Sequence, residues 1–190
     1  MDIKLRFEEQ LALDYNASLE EVQNNQNILK RKERVSGARN VGSEESLLQI
    51  GVYNEKLLIV AKDEIFDWCK ENLLPKSNVE WLCEPGVIYK LNQMLEQHGQ
   101  FIADGHHYYL PVENTSLAMN YDCEVQWVEG DEIKQFENDD RFDEALLFTD
   151  DVENVLAVCA VKGGQILGMA GCTNDGQNVW QIGANVTEEG

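Results

Sequence analysis

Residues 155–190, VLAVCAVKGGQILGMAGCTNDGQNVWQIGANVTEEG, constrain the fold more than any other stretch. Two apolar runs, 155–161 and 166–172, flank Lys162-Gly163-Gly164-Gln165, and a third, 179–186, follows Thr173-Asn174-Asp175-Gly176-Gln177-Asn178. Gly-Gly and Asp-Gly supply the positive φ angles of tight hairpin turns, and the flanking Val, Ile, Leu and Ala side chains suit a pleated surface. The pattern predicts three consecutive antiparallel strands in a largely buried sheet.

Upstream, residues 123–128 (CEVQWV) alternate like a strand and Gly130-Asp131 breaks them. Residues 132–136 then begin a short helix, and residues 141–148 (RFDEALLF) make another. The order over 121–190 is therefore strand, helix, helix, strand, strand, strand.

With that order, Trp180-Gln181-Ile182-Gly183-Ala184-Asn185-Val186 resembles the GNAT superfamily of acyl-CoA-dependent N-acyltransferases, in which a strand of rough form I-G-x-x-V leads towards the pyrophosphate-binding helix. The family's phosphate signature, Arg/Gln-x-x-Gly-x-Gly/Ala, holds the cofactor with backbone N–H groups at a helix N-terminus. It would begin with the residue after Gly190. The whole chain, including KLLIVAKDEIFDWCKE and the RFDEA segment, is also similar to bacterial GNAT proteins with an added N-terminal domain.

The resemblance implies an acetyltransferase that moves an acetyl group from acetyl-CoA to a small-molecule or peptide amine by direct attack. Residues 121–190 would be the first half of the catalytic fold, and these 190 residues by themselves are expected to be inactive. Ala184, Asn185, Val186 and Thr187 match the positions whose main chain pairs with the pantetheine arm, and Asn185 is expected to mark a bulge. The family's strand-borne base has no equivalent, because Gln181 is not a base at neutral pH. Asp143 and Glu144 are the nearest carboxylates that would flank the acceptor pocket, and their bland reading is a solvated helix face. Trp180 is read either as a wall of that pocket or as core. The rival reading is a non-catalytic acidic module that uses the half-sheet to dimerise or capture a partner.

Charge narrows the partners. Thirty-five acidic residues against fifteen Lys and Arg give a formal charge of −20, which repels nucleic acid and anionic membrane surfaces. Five cysteines at 69, 83, 123, 159 and 172 form no C-x-x-C pair and fit reduced, buried thiols. No signal-like apolar core opens the chain, so a cytoplasmic location is expected.

Residues 1–120 read as a small α+β domain ahead of the GNAT-like part at 121–190, for an α+β chain as a whole. An amphipathic run at 7–15 precedes Ser18, which caps a second helix reaching about Ile28, with Glu21 at the capping-box position. Residues 29–45 read as a polar loop whose Lys30, Arg31, Lys32 and Arg34 either catch a phosphate or balance nearby acids. A hairpin centred on Asn54, a helix over 64–73 capped by Asp63, a strand at 79–82 and a helix over 87–98 stopped by Gly99 follow. Short strands are expected at 100–103 and 107–111. His98, Asp104, His106 and His107 raise the question of a metal, but adjacent histidines on a strand point to opposite faces, so no metal site is expected.

Overall fold

All six residues of β3, Lys56–Ala61, are buried, and a strand covered on both faces needs a neighbour on each side as well as layers above and below. In this computed structural model, which describes residues 2–39, 41, 44–103, 105, 107–110, 122–149 and 153–187, β3 pairs with β2 (Leu48–Tyr53) antiparallel and β1 (Ile28–Arg31) parallel, in the order β1-β3-β2. Asn54 and Glu55 close the β2–β3 hairpin at φ 47 and 60, the left-handed pair that a two-residue turn requires.

Leu57, Ile59 and Ala61 face α3 (Asp63–Asn72) and α4 (Pro85–Leu95), packing with Ile65, Cys69, Leu91, Met94 and Leu95. The alternate side chains meet the other layer, α1 (Ile3–Asp14) and α2 (Leu19–Gln23). There Lys56 Nζ donates to the carbonyls of Glu21, at 2.7 Å, and Asn24. The end of a helix offers such oxygens because its last carbonyls have no intrahelical partner. Burial lowers the Lys56 pKa. The Ser18–Glu21 capping box forms in full.

Several sequence expectations change here. Ile28 belongs to β1, not to a helix, because β3 needs a second hydrogen-bonded neighbour and Ile28 and Leu29 place an apolar side chain on each face of the sheet. Lys62, not Asp63, is the N-cap of α3; Asp63 sits in the first turn and pairs with Arg31. Val79–Trp81 is a 3-10 turn that buries Val79. Residues 100–103 and 107–110 carry no strand, and Pro111 lies outside the described residues. The α4 helix passes into a 3-10 turn, Glu96–His98, that ends at Gly99 with φ 72. The basic cluster is engaged locally: Lys30 meets Glu21 at 2.6 Å, Arg31 pairs with Asp63, Arg34 meets Glu44 at 3.2 Å, and Lys32 donates to the Ser46 carbonyl at 2.8 Å.

The chain divides into two units, Met1–Pro111 and Val112–Gly190. The second is built on a fully antiparallel sheet in the order β4-β5-β6-β7: β4 Glu124–Glu129, β5 Asn154–Lys162, β6 Gln165–Asn174 and β7 Trp180–Val186. Gly163 and Gly164 turn β5 into β6 at φ 59 and 80, whereas Gly176 has no positive φ. The inner face, Val128, Ala157, Cys159, Val161 and Met169, packs on Ile133, Phe136, Phe142, Ala145 and Leu146. Ile133 and Phe136 come from a 3-10 helix, Gly130–Phe136; the second expected helix shrinks to Asp140–Phe142. Residues 143–147 are irregular, for a reason that lies on β6 and β7. The described residues are thus α+β with two sheets, the second wholly antiparallel. No helix of the described residues is long and apolar enough to cross a membrane.

Candidate functional site

The last strand and the irregular segment against it bring most of the sequence candidates together. Gly171 and Gly183 face each other across β6 and β7. A Cβ on Gly183 would overlap the Glu144 carbonyl oxygen, and one on Gly171 would overlap that of Ala145. Residues 143–147 therefore lie backbone-on-backbone over these two positions, where side chains would hold a helix away. Two asparagines supply the partners that the irregular backbone lacks. Asn185 Oδ1 accepts from Glu144 N at 3.0 Å and Ala145 N at 2.7 Å, while its Nδ2 donates to Asp143 Oδ1 at 3.1 Å. Asn154 accepts from Leu147 N at 3.0 Å and donates to Leu147 O at 2.7 Å.

Asp143, Glu144 and Asn185 thus form one cluster, with both carboxylates exposed. Asn185 marks no bulge: the β6–β7 register runs unbroken from Gly168↔Val186 to Asn174↔Trp180. The irregularities lie between β5 and β6, at Asn154/Leu156 and Ala160/Val161. Its polar side chain serves the crossing segment instead. Trp180 is 57% exposed and is not core; with Ile182, Ala184 and Val186 it faces away from the cluster, since side chains alternate along a strand. The closing strand is accordingly far more open than a largely buried sheet would make it.

The β7 main chain divides in the same way. Thr187 N donates to Leu167 O at 2.9 Å and its Oγ1 to Ile166 O at 2.8 Å, so Thr187 is committed to β6. In an antiparallel ladder alternate residues turn their N–H and C=O to opposite sides. Asn185 therefore faces β6, and Ala184 and Val186 present their main-chain groups to the outer edge. No charged side chain interrupts β7, whereas β4, on the opposite edge, begins and ends with Glu.

The run Gln165-x-x-Gly168-x-Ala170 spells the phosphate signature inside these residues, but it lies on β6, paired to β5 and β7. Its N–H groups serve the ladder, so it is no phosphate cradle. Burial raises the thiol pKa of Cys159 and Cys172, which disfavours the thiolate, and all five cysteines are free. Only Cys69 and Cys159 are buried; Cys83 is exposed. Among the described residues no cluster of three His, Cys, Asp or Glu could hold a metal ion. Asp104 and His106 lie outside the described residues.

In the first unit a surface cavity of about 330 Å³ is bordered by Asp2, Lys4, Leu5, Glu8, Gln23 and Asn54. Its buried acid is internally satisfied, because Glu8 accepts from Tyr53 Oη at 2.7 Å and Gln23 Nε2 at 2.8 Å. Sequence reasoning missed Asn154 and Gly171. An isolated glycine within a strand pattern is the available signal for Gly171, since it marks close approach of another backbone.

The chain matches no family model, no curated protein and no solved structure.

Proposed function

We propose that residues 122–187 form the first half of a GNAT-like N-acetyltransferase fold, with acetyl-CoA as acyl donor and a primary amine as acceptor. One observation carries the reading: an all-antiparallel ladder ends in an uncharged strand whose Ala184 and Val186 main-chain groups face outward. The amide-bearing pantetheine arm would add to this edge as a strand does, through Ala184 and Val186 rather than Asn185 and Thr187. An edge N–H would polarise the thioester carbonyl. The amine then attacks that carbon, a C–N bond forms, the C–S bond breaks, and the sulfur leaves with the electron pair. The proton lost by the amine needs an acceptor, and Asp143, held by Asn185 Nδ2, is the carboxylate this arrangement offers, with Glu144 beside it. Trp180, on the other face, would not share a pocket wall with them.

Titration of the labelled protein with acetyl-CoA tests the reading. The amide resonances of Ala184 and Val186 should shift while those of Asn185 and Thr187 move little; saturating cofactor that leaves the β7 edge unmoved would refute it. Binding should be weak and no amine should be acetylated by these residues alone, since their one copy of the phosphate signature is locked in β6.

A second reading, a non-catalytic acidic module that docks a partner, is favoured by a different observation: the outer face of the same sheet is apolar and exposed.

A further inference from the structure

The outer face of the β4-β5-β6-β7 sheet runs in rows fixed by the register. Trp127, Val158, Ala170 and Ala184 make one; Val125, Ala160, Gly168 and Val186 the next; Leu156, Cys172 and Ile182 a third. Each is apolar from edge to edge apart from Glu129, which stands at one corner beside Leu156. Exposure is highest on the two edge strands, with Trp127 at 63% on β4 and Trp180 at 57%, Ile182 at 71% and Val186 at 78% on β7. With the usual sizes of these side chains the face offers on the order of 800 Å². That exceeds the roughly 300–600 Å² of the largest apolar patch on an ordinary monomer and equals about what each partner gives to a stable interface.

We propose that this face is a homodimer interface, covered by the same face of a second copy of the chain. The inference deepens the partner-docking reading, on which it rests, and is independent of the acyltransferase reading, which uses the β7 edge. The shape is self-complementary. Bulk stands at the β4 edge as Trp127, the floor is Ala160, Gly168 and Ala170, and the same row ends at the β7 edge in Ala184. A twofold axis along the strands lays β4 of each copy over β7 of the other, row for row, so Trp127 of each copy meets Ala184 of the other. Two sheets stacked about 10 Å apart, within about 30° of parallel, permit this arrangement. Charge selects the same surface: two chains of net charge −20 repel over most of their area, and this nearly uncharged face is where that cost is least.

Sedimentation velocity at physiological salt tests it. The chain should sediment at twice the 21.6 kDa of one copy, and Ile182→Lys or Val186→Glu should weaken association by at least about tenfold, as a charge buried at a dry interface does, with unchanged circular dichroism. Tyr89→Lys, at a 63% exposed position on α4, should remain dimeric. A wild-type chain that stays monomeric at a concentration of about 100 µM, or a dimer that persists in both charged variants, would overturn the proposal. A monomer would leave the acetyl-CoA response of Ala184 and Val186 as it was, so the two readings fail separately.

Discussion

Replacing Gly183 with alanine adds one methyl group directly against the backbone of Glu144 and Ala145. The new carbon would overlap the Glu144 carbonyl oxygen and stand 2.8 Å from the Glu144 carbonyl carbon and 3.3 Å from Ala145 Cα. All three are backbone atoms, so no rotamer change relieves the overlap; residues 143–146 must lift by about 1 Å or more. That movement stretches the bonds from Glu144 N and Ala145 N to Asn185 Oδ1, now 3.0 and 2.7 Å, beyond useful length. Each is worth about 1 kcal/mol. Ala145 and Leu146, both 2% exposed, lose packing with them, for a further loss of about 1–2 kcal/mol. The total is about 3–4 kcal/mol, enough to loosen a marginally stable domain. Gly86→Ala is the control, since nothing lies within 4 Å of the added carbon and it sits in α4; there the gain is about 0.5–1 kcal/mol. Urea unfolding read by tryptophan fluorescence, with hydrogen exchange at the Glu144 and Ala145 amides, measures both. A Gly183→Ala protein within about 0.5 kcal/mol of wild type, with those amides still protected, would refute the backbone-on-backbone account.

Asn185→Asp keeps the acceptor for both amides but sets a second carboxylate against Asp143. It should cost stability at neutral pH that is recovered as the pH falls towards about 4, seen as a melting temperature closer to wild type in acid; a pH-independent loss would deny the carboxylate contact. Burial raises the Tyr15 pKa to about 12 from 10.0. Its neutral form is favoured by folding, so the contribution is full below the unfolded value near 10 and is lost as the pH rises through about 12. The span corresponds to roughly 3 kcal/mol. A phenolate absorbance titration with all tyrosines ionising near 10 while the protein stays folded would show the burial to be wrong.

Legibility followed the range of the interactions. Hairpin chemistry is local, so Asn54, the Gly163-Gly164 turn and the Ser18–Glu21 box could be read from adjacent residues. β1 could not, because Ile28–Arg31 is a strand only by virtue of β3, about thirty residues on in register. The irregularity of 143–147 is likewise written elsewhere, in Gly171, Gly183, Asn154 and Asn185. RFDEALLF has helical spacing, yet the seat it occupies accepts bare backbone. Of the candidate site, Asp143, Glu144 and Asn185 did come together, while Trp180 faces the opposite side. The role of Asn185 was not legible, because its amide bonds to residues some forty positions away instead of marking a bulge in its own strand.

The Gly171–Gly183 seam leaves no side chain to act as a cushion between the sheet and the irregular segment above it. Elsewhere in a protein a small shift of one layer is absorbed by rotamers before it reaches the next. Here a shift of the final strand meets the backbone of Glu144 and Ala145 directly, and reaches Asp143 only through the Asn185 amide.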